Sequence, residues 1–184
     1  MLTHELLDGW LGIKLIGDYT TLSELRDMVN DVCDRSPIFE RTGSEWLRAL
    51  AYEARKACER KRDVLPPPEP FPEVGTRLGA DMLWPVFLPQ VRMLRESLGF
   101  IDHGKLHQSL MYALEHVTES ALQDAFGADA RKILAQLRIL DLDTAENMVD
   151  RAEDFAGHPP EVRKAGLLYL FKPAWLDDKR IPNK

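Results

Sequence analysis

His103 and His107, in His103-Gly104-Lys105-Leu106-His107, stand four residues apart, the spacing at which two imidazoles on one helix face can share a divalent cation. A metal-dependent hydrolase could be built on such a pair, with the bound ion activating water. Glycine stands where a zinc-peptidase helix needs its glutamate, and His116, nine residues beyond His107, falls half a turn away round the wheel. His103 and His107 are therefore a minor metal candidate beside the plainer reading of exposed histidines at a helix start. Glu161-Val162-Arg163-Lys164 has the residue types of a nuclease acid-base motif, but it follows Pro159-Pro160 and opens a helix rather than ending a strand. The sequence has no glycine-rich phosphate loop, nucleophile elbow or activated Cys/His pair, and it implies no cofactor.

Charge offers two further candidates. Arg48, Arg55 and Arg62 are seven apart with Lys56 alongside, which predicts a basic ridge along ~21 Å of a helix over 45–62 that could track phosphates. Glu59, four residues after Arg55 and three before Arg62, partly neutralises it, and Tyr52 is placed to cover its stems. The opposite patch is Asp141, Asp143, Glu146, Asp150, Glu153 and Asp154, six acids with Arg151 as the one base in fourteen residues. It suits a basic protein partner, although acids in a first helical turn also simply complement the helix dipole. Trp175, in the irregular tail 172–184, is a candidate partner anchor if that tail does not fold back on its own domain.

Composition bounds the rest. A chain of 184 residues, 45% hydrophobic and 29% charged, fits one globular domain spanning 1–184. The net charge of −6 argues against general affinity for nucleic acid or anionic membrane. Glu5 and Asp8 stand where a signal peptide carries bases, and no apolar run approaches the ~20 residues of a membrane span, so the expected location is the cytoplasm. Cys33 and Cys58 lack metal-like spacing and are expected as reduced, mostly buried thiols.

The elements that must hold these residues are mainly helical. Ile13 and Leu15 alternate round Lys14 between glycines, which predicts a short strand in Trp10–Gly17, and Val74–Met82 is its best partner. Thr21-Leu22-Ser23-Glu24 reads as a capping box opening a helix from Leu22 to about Asp34. Ser44 is the expected cap of the next helix, which carries Trp46, Leu47, Leu50, Ala54 and Ala57 on one side. Five prolines within residues 65–72 predict a stiff extended strap. Beyond Trp84, Pro85 or Pro89 occupies a first helical turn, and Val91, Leu94, Arg95 and Leu98 continue the pattern to Gly99. A longer helix is predicted from about His103 to Phe126, stopped by Gly127, then shorter ones over Asp129–Leu140, Thr144–Ala156 with a box at Asp143 and Glu146, and Glu161–Phe171. The expected fold is mainly α, an irregular helical bundle with a short β element near the N-terminus.

Three pieces carry a family resemblance: Gly12-Ile13-Lys14-Leu15-Ile16-Gly17-Asp18-Tyr19 leading into a helix, the pattern Leu47, Leu50, Tyr52, Arg55 and Ala57, and Leu83-Trp84-Pro85. In this order the chain resembles an uncharacterised bacterial family known only as a domain of unknown function. That resemblance implies a bacterial cytoplasmic protein with a mainly helical fold, and it transfers no catalytic residues. The resulting expectation is a non-enzymatic protein-binding protein, a regulatory subunit or an inhibitor of the immunity or antitoxin kind. Its partner would be another, basic protein, with no membrane role and an oligomeric state the sequence leaves open. Nucleic-acid binding by the ridge and metal-dependent hydrolysis at His103 and His107 are the alternatives.

Overall fold

The computed structural model describes residues 1–39 and 43–169. In chain order it places β1 at Thr3–Leu6, β2 at Gly12–Gly17, α1 at Tyr19–Arg35, α2 at Glu45–Cys58, β3 at Asp63–Leu65 and β4 at Arg77–Leu83. Then follow α3 at Trp84–Leu98, α4 at Lys105–Phe126, α5 at Ala130–Arg138, α6 at Leu142–Asp150, α7 at Ala152–Gly157 and α8 at Pro160–Leu167. The fold is mainly α, but it is built on a four-stranded antiparallel sheet of order β1-β2-β4-β3 rather than as a bundle with a scrap of strand.

The expected pairing of the first clear strand with residues near 74–82 is present as β2 on β4, with Ile13 opposite Met82 and Leu15 opposite Ala80. Those four side chains and Leu78 lie on one face and join the core formed by the helices. The other face carries Lys14, whose ammonium contacts the Asp63 carboxylate and lies 3.9 Å from Asp81. β1 escaped sequence reading because Thr3-His4-Glu5-Leu6 has no apolar alternation; its backbone, and the bond from His4 to Asp124 at 3.0 Å, place it. The proline strap becomes a hairpin loop. Leu65 pairs with Arg77, so the prolines bridge two strands of one sheet rather than two subdomains.

Local signals shifted by a few residues where a better donor or acceptor was available. α1 starts at Tyr19, not Leu22, because Asp18 rather than Thr21 is its cap: Oδ1 accepts from the Thr21 amide at 2.8 Å and Oδ2 from the Thr21 hydroxyl at 2.8 Å. Burial opposes ionisation of Asp18, yet hydrogen bonds from the Met1 ammonium and from Thr21 hold its carboxyl well below the usual range. α2 ends at Cys58, and Ser44 occupies its cap position without a side-chain hydrogen bond. Pro85 is in the first turn of α3 whereas Pro89 is interior and buried. The single helix expected over 144–156 is two, because the chain departs from helical geometry at Arg151 (φ −102°, ψ 15°). α8 runs from Pro160 to Leu167, and the remainder of the helix expected to Phe171, beyond Tyr169, lies outside the described residues, as does the tail 172–184. Cys33 and Cys58 are free thiols, buried and half-buried, and burial pushes both up from the ordinary thiol value.

Trp84 is the largest fully buried side chain and packs on Phe126 with ring centroids 6.3 Å apart. Its amide donates to the Leu11 carbonyl at 3.0 Å, extending the β2–β4 register into α3. Leu83-Trp84-Pro85 is therefore the corner where the sheet passes into the helical layer.

Candidate functional site

The structure separates the candidates sharply. His103 lies before α4, ahead of the cap residue Gly104, so it shares no helix face with His107. Its Nδ1 is 2.9 Å from the Ile101 carbonyl, which can only accept, so Nδ1 carries the proton; Nε2 then accepts from the Gln108 amide at 2.8 Å. Neither nitrogen has a free lone pair. His107 Nδ1 sits instead 3.8 Å from Asp31. Among the described residues no group of three or more His, Cys, Asp or Glu is placed to hold a metal ion. The two-histidine metal site is thus corrected: the histidines make separate local contacts.

The ridge is corrected likewise, because Arg62 lies past the end of α2 and forks onto Glu53 at 2.7 and 3.0 Å. Arg48 pairs with Asp34 at 2.6 Å, and Arg55 and Lys56 reach Glu59 at 3.0 and 3.9 Å. Arg55 and Lys56 also lie over the Tyr52 ring at 5.2 and 5.1 Å. Each cation has an acid of its own chain beside it, which lowers the net positive field that a phosphate backbone would meet. The expected outcome is no retardation of DNA or RNA at about 50 mM salt, checked by gel shift; a salt-sensitive shift lost in Arg48→Ala would reverse this.

The acidic segment behaves differently. Ala145, Met148, Ala152 and Phe155 are buried, and α6 and α7 both contact α3 through this side, which turns the acids outward. Asp141 is the exception. Its Oδ1 accepts from the Thr144 amide at 2.8 Å, and hydrogen bonds from the Thr144 side chain and backbone hold its carboxyl below the usual range. Asp141, rather than Asp143, is thus the α6 cap. The carboxylates of Asp143, Glu146, Asp150, Glu153 and Asp154 make no ion pair among the described residues, and all but Glu146 are exposed. Trp175 lies outside the described residues.

This division of labour is testable. Asp141→Ala is expected to cost roughly 0.5–1 kcal/mol in urea unfolding at pH 7, whereas Asp150→Ala should change stability by less. Because the folded carboxyl of Asp141 titrates lower than the unfolded one, its contribution is full above the unfolded pKa of ~3.9 and is lost as pH falls through the folded value. The wild-type advantage over Asp141→Ala should accordingly shrink in acid. An advantage independent of pH would show that the ionised cap is not its source.

Sequence reading missed a cleft of about 230 Å³ between α3, α4 and α5, lined by Val91, Arg92, Arg95, Glu115, Thr118, Glu119, Leu134, Leu137 and Arg138. Arg95 forks onto Glu115 at 2.7 and 2.5 Å, and these hydrogen bonds raise its pKa above the ordinary arginine value. The only sequence signal was polar spacing, Arg92 three before Arg95 and Glu115 four before Glu119, on helices separated by a turn.

The family described as a domain of unknown function (DUF6904) matches residues 8–155. The chain belongs to that family. No curated protein and no solved structure matches it. The DUF6904 match runs from Asp8, before β2, to Phe155 in α7, so it includes the sheet corner at Trp84, the acidic segment and every residue of the cleft. Among the described residues no helix is long and apolar enough to cross a membrane.

Proposed function

We propose that this protein is a non-enzymatic binding protein of the bacterial cytoplasm, a regulatory subunit or an inhibitor of the immunity or antitoxin kind, whose α6–α7 surface receives a basic partner protein. One contrast supports the reading. The basic residues of α2 are all paired internally, while five carboxylates of α6 and α7 point outward with no internal counter-ion among the described residues. Unpaired like charges repel one another, and a basic surface would relieve that repulsion while steering encounter.

The experiment is affinity capture on the full chain with mass spectrometry, followed by binding of the recovered partner to Asp150→Ala/Glu153→Ala/Asp154→Ala. The triple variant should fold normally and bind at least about tenfold more weakly, a loss of ~1.4 kcal/mol. The wild-type complex should also weaken as salt rises. Unchanged binding by the triple variant would remove the acidic surface from the interface.

A further inference from the structure

The cleft between α3, α4 and α5 combines an apolar floor, a buried donor without an acceptor and two unpaired charges. Its floor is apolar: Val91 and Leu137 are buried, and Leu134 is half-buried. Arg92 uses its terminal nitrogen on Glu96 at 2.7 Å, but its Nε is buried without any hydrogen-bond acceptor. A buried donor on a cation is costly to leave unmade, so Arg92 lines the cleft short of one acceptor, which an anionic ligand would supply once the side chain turns toward it. Arg138 and Glu119 then line the same cleft, both exposed, and neither forms an ion pair among the described residues. Arg95 and Glu115, by contrast, neutralise one another. The charges remaining for a ligand are thus one cation and one anion over an apolar surface.

We propose that this cleft binds a small zwitterion with an apolar side chain, that is, a free α-amino acid of the leucine or phenylalanine class. The ligand carboxylate faces Arg92 and Arg138, its ammonium faces Glu119, and its side chain covers Val91, Leu134 and Leu137. Size agrees with charge. At about 230 Å³ the cleft lies below the ~300–1,000 Å³ typical of pockets for drug-sized ligands, and it is too small for a dinucleotide or an extended peptide. It shares no residue with α6 or α7, so it stands whether or not the acidic surface binds a partner.

The test is thermal unfolding and isothermal titration of the full chain with leucine and phenylalanine, taken to about 10 mM so that a site of ~1 mM affinity is largely filled. N-acetyl-leucine, which lacks the ammonium, leucinamide, which lacks the carboxylate, and glycine, which lacks the apolar group, are the controls. At about ten times Kd, leucine or phenylalanine should raise the midpoint by roughly 3–6 °C while the controls leave it nearly unchanged. Arg138→Ala and Glu119→Gln alter exposed side chains, so their ligand-free midpoints should match wild type. Each should weaken leucine by at least about tenfold in the titration. Absence of binding by both amino acids overturns the proposal. Equal binding of N-acetyl-leucine or leucinamide, or full affinity in both variants, overturns it as well.

Discussion

Trp84→Ala is expected to lower the unfolding free energy by about 3–5 kcal/mol, seen as an earlier urea midpoint with an unchanged slope. Trp84 has no solvent exposure and stands where β4 becomes α3, packed on Phe126. Removing the indole deletes contacts to both layers at once, and the surrounding backbone is fixed by the β2–β4 ladder and cannot readily close the cavity. Trp84→Phe separates packing from polarity. The indole Nε1 is buried without a hydrogen-bond partner, so phenylalanine loses volume but also removes an unsatisfied donor. Its cost should be well below that of alanine. A loss under ~1 kcal/mol for Trp84→Ala would show that the corner can collapse and that the sheet-to-helix junction does not depend on this ring.

Gly12→Ala is the second large effect, of about 3 kcal/mol, although it adds only a methyl group. A Cβ at this position would lie 1.9 Å from the Met82 carbonyl oxygen and 2.9 Å from the Leu83 Cα. Both neighbours are backbone, so no side-chain rotation relieves the clash and β2 must move away from β4. The adjacent bond from the Trp84 amide to Leu11 would be strained with it. Gly157→Ala is the matched control, because a Cβ there meets nothing within 4 Å at the end of α7. It should be neutral or slightly stabilising, by up to ~1 kcal/mol. Equal thermal midpoints for the two variants would refute the steric account of Gly12.

The contrast between those two glycines shows where sequence reading stops. Glycines bracketing Ile13 and Leu15 marked a strand, and the need for a partner pointed to the residues that β4 occupies. Nothing in the sequence said that β2 and β4 approach so closely at Gly12. β1 and β3 were not legible, because short strands without alternation are held by ladder hydrogen bonds whose partners lie far along the chain. Caps were legible only to within a few residues, since Asp18 and Asp141 outcompeted the expected Thr21 and Asp143 for the same kind of backbone donor. For the candidate sites the lesson is sharper. Spacing brought His103 and His107 together on an assumed helix, and a start two residues later separates them. Arg62 left its ridge in the same way, when α2 ended at Cys58.

The sequence by itself determined the mainly helical character, the β2–β4 pairing, the burial of Trp84 and the acidic content of 141–154. These follow from hydrophobic period, breaker residues and local charge, which act between near neighbours. The tertiary structure alone decided which charges are spent and which remain available. It paired the α2 cations with Asp34 and Glu59 and Arg62 beyond them with Glu53, left five acids of α6–α7 facing outward, and set Arg92, Glu119 and Arg138 around one apolar cleft. A charge finds its partner across space, and the distance between helices is fixed by core packing rather than by position along the chain.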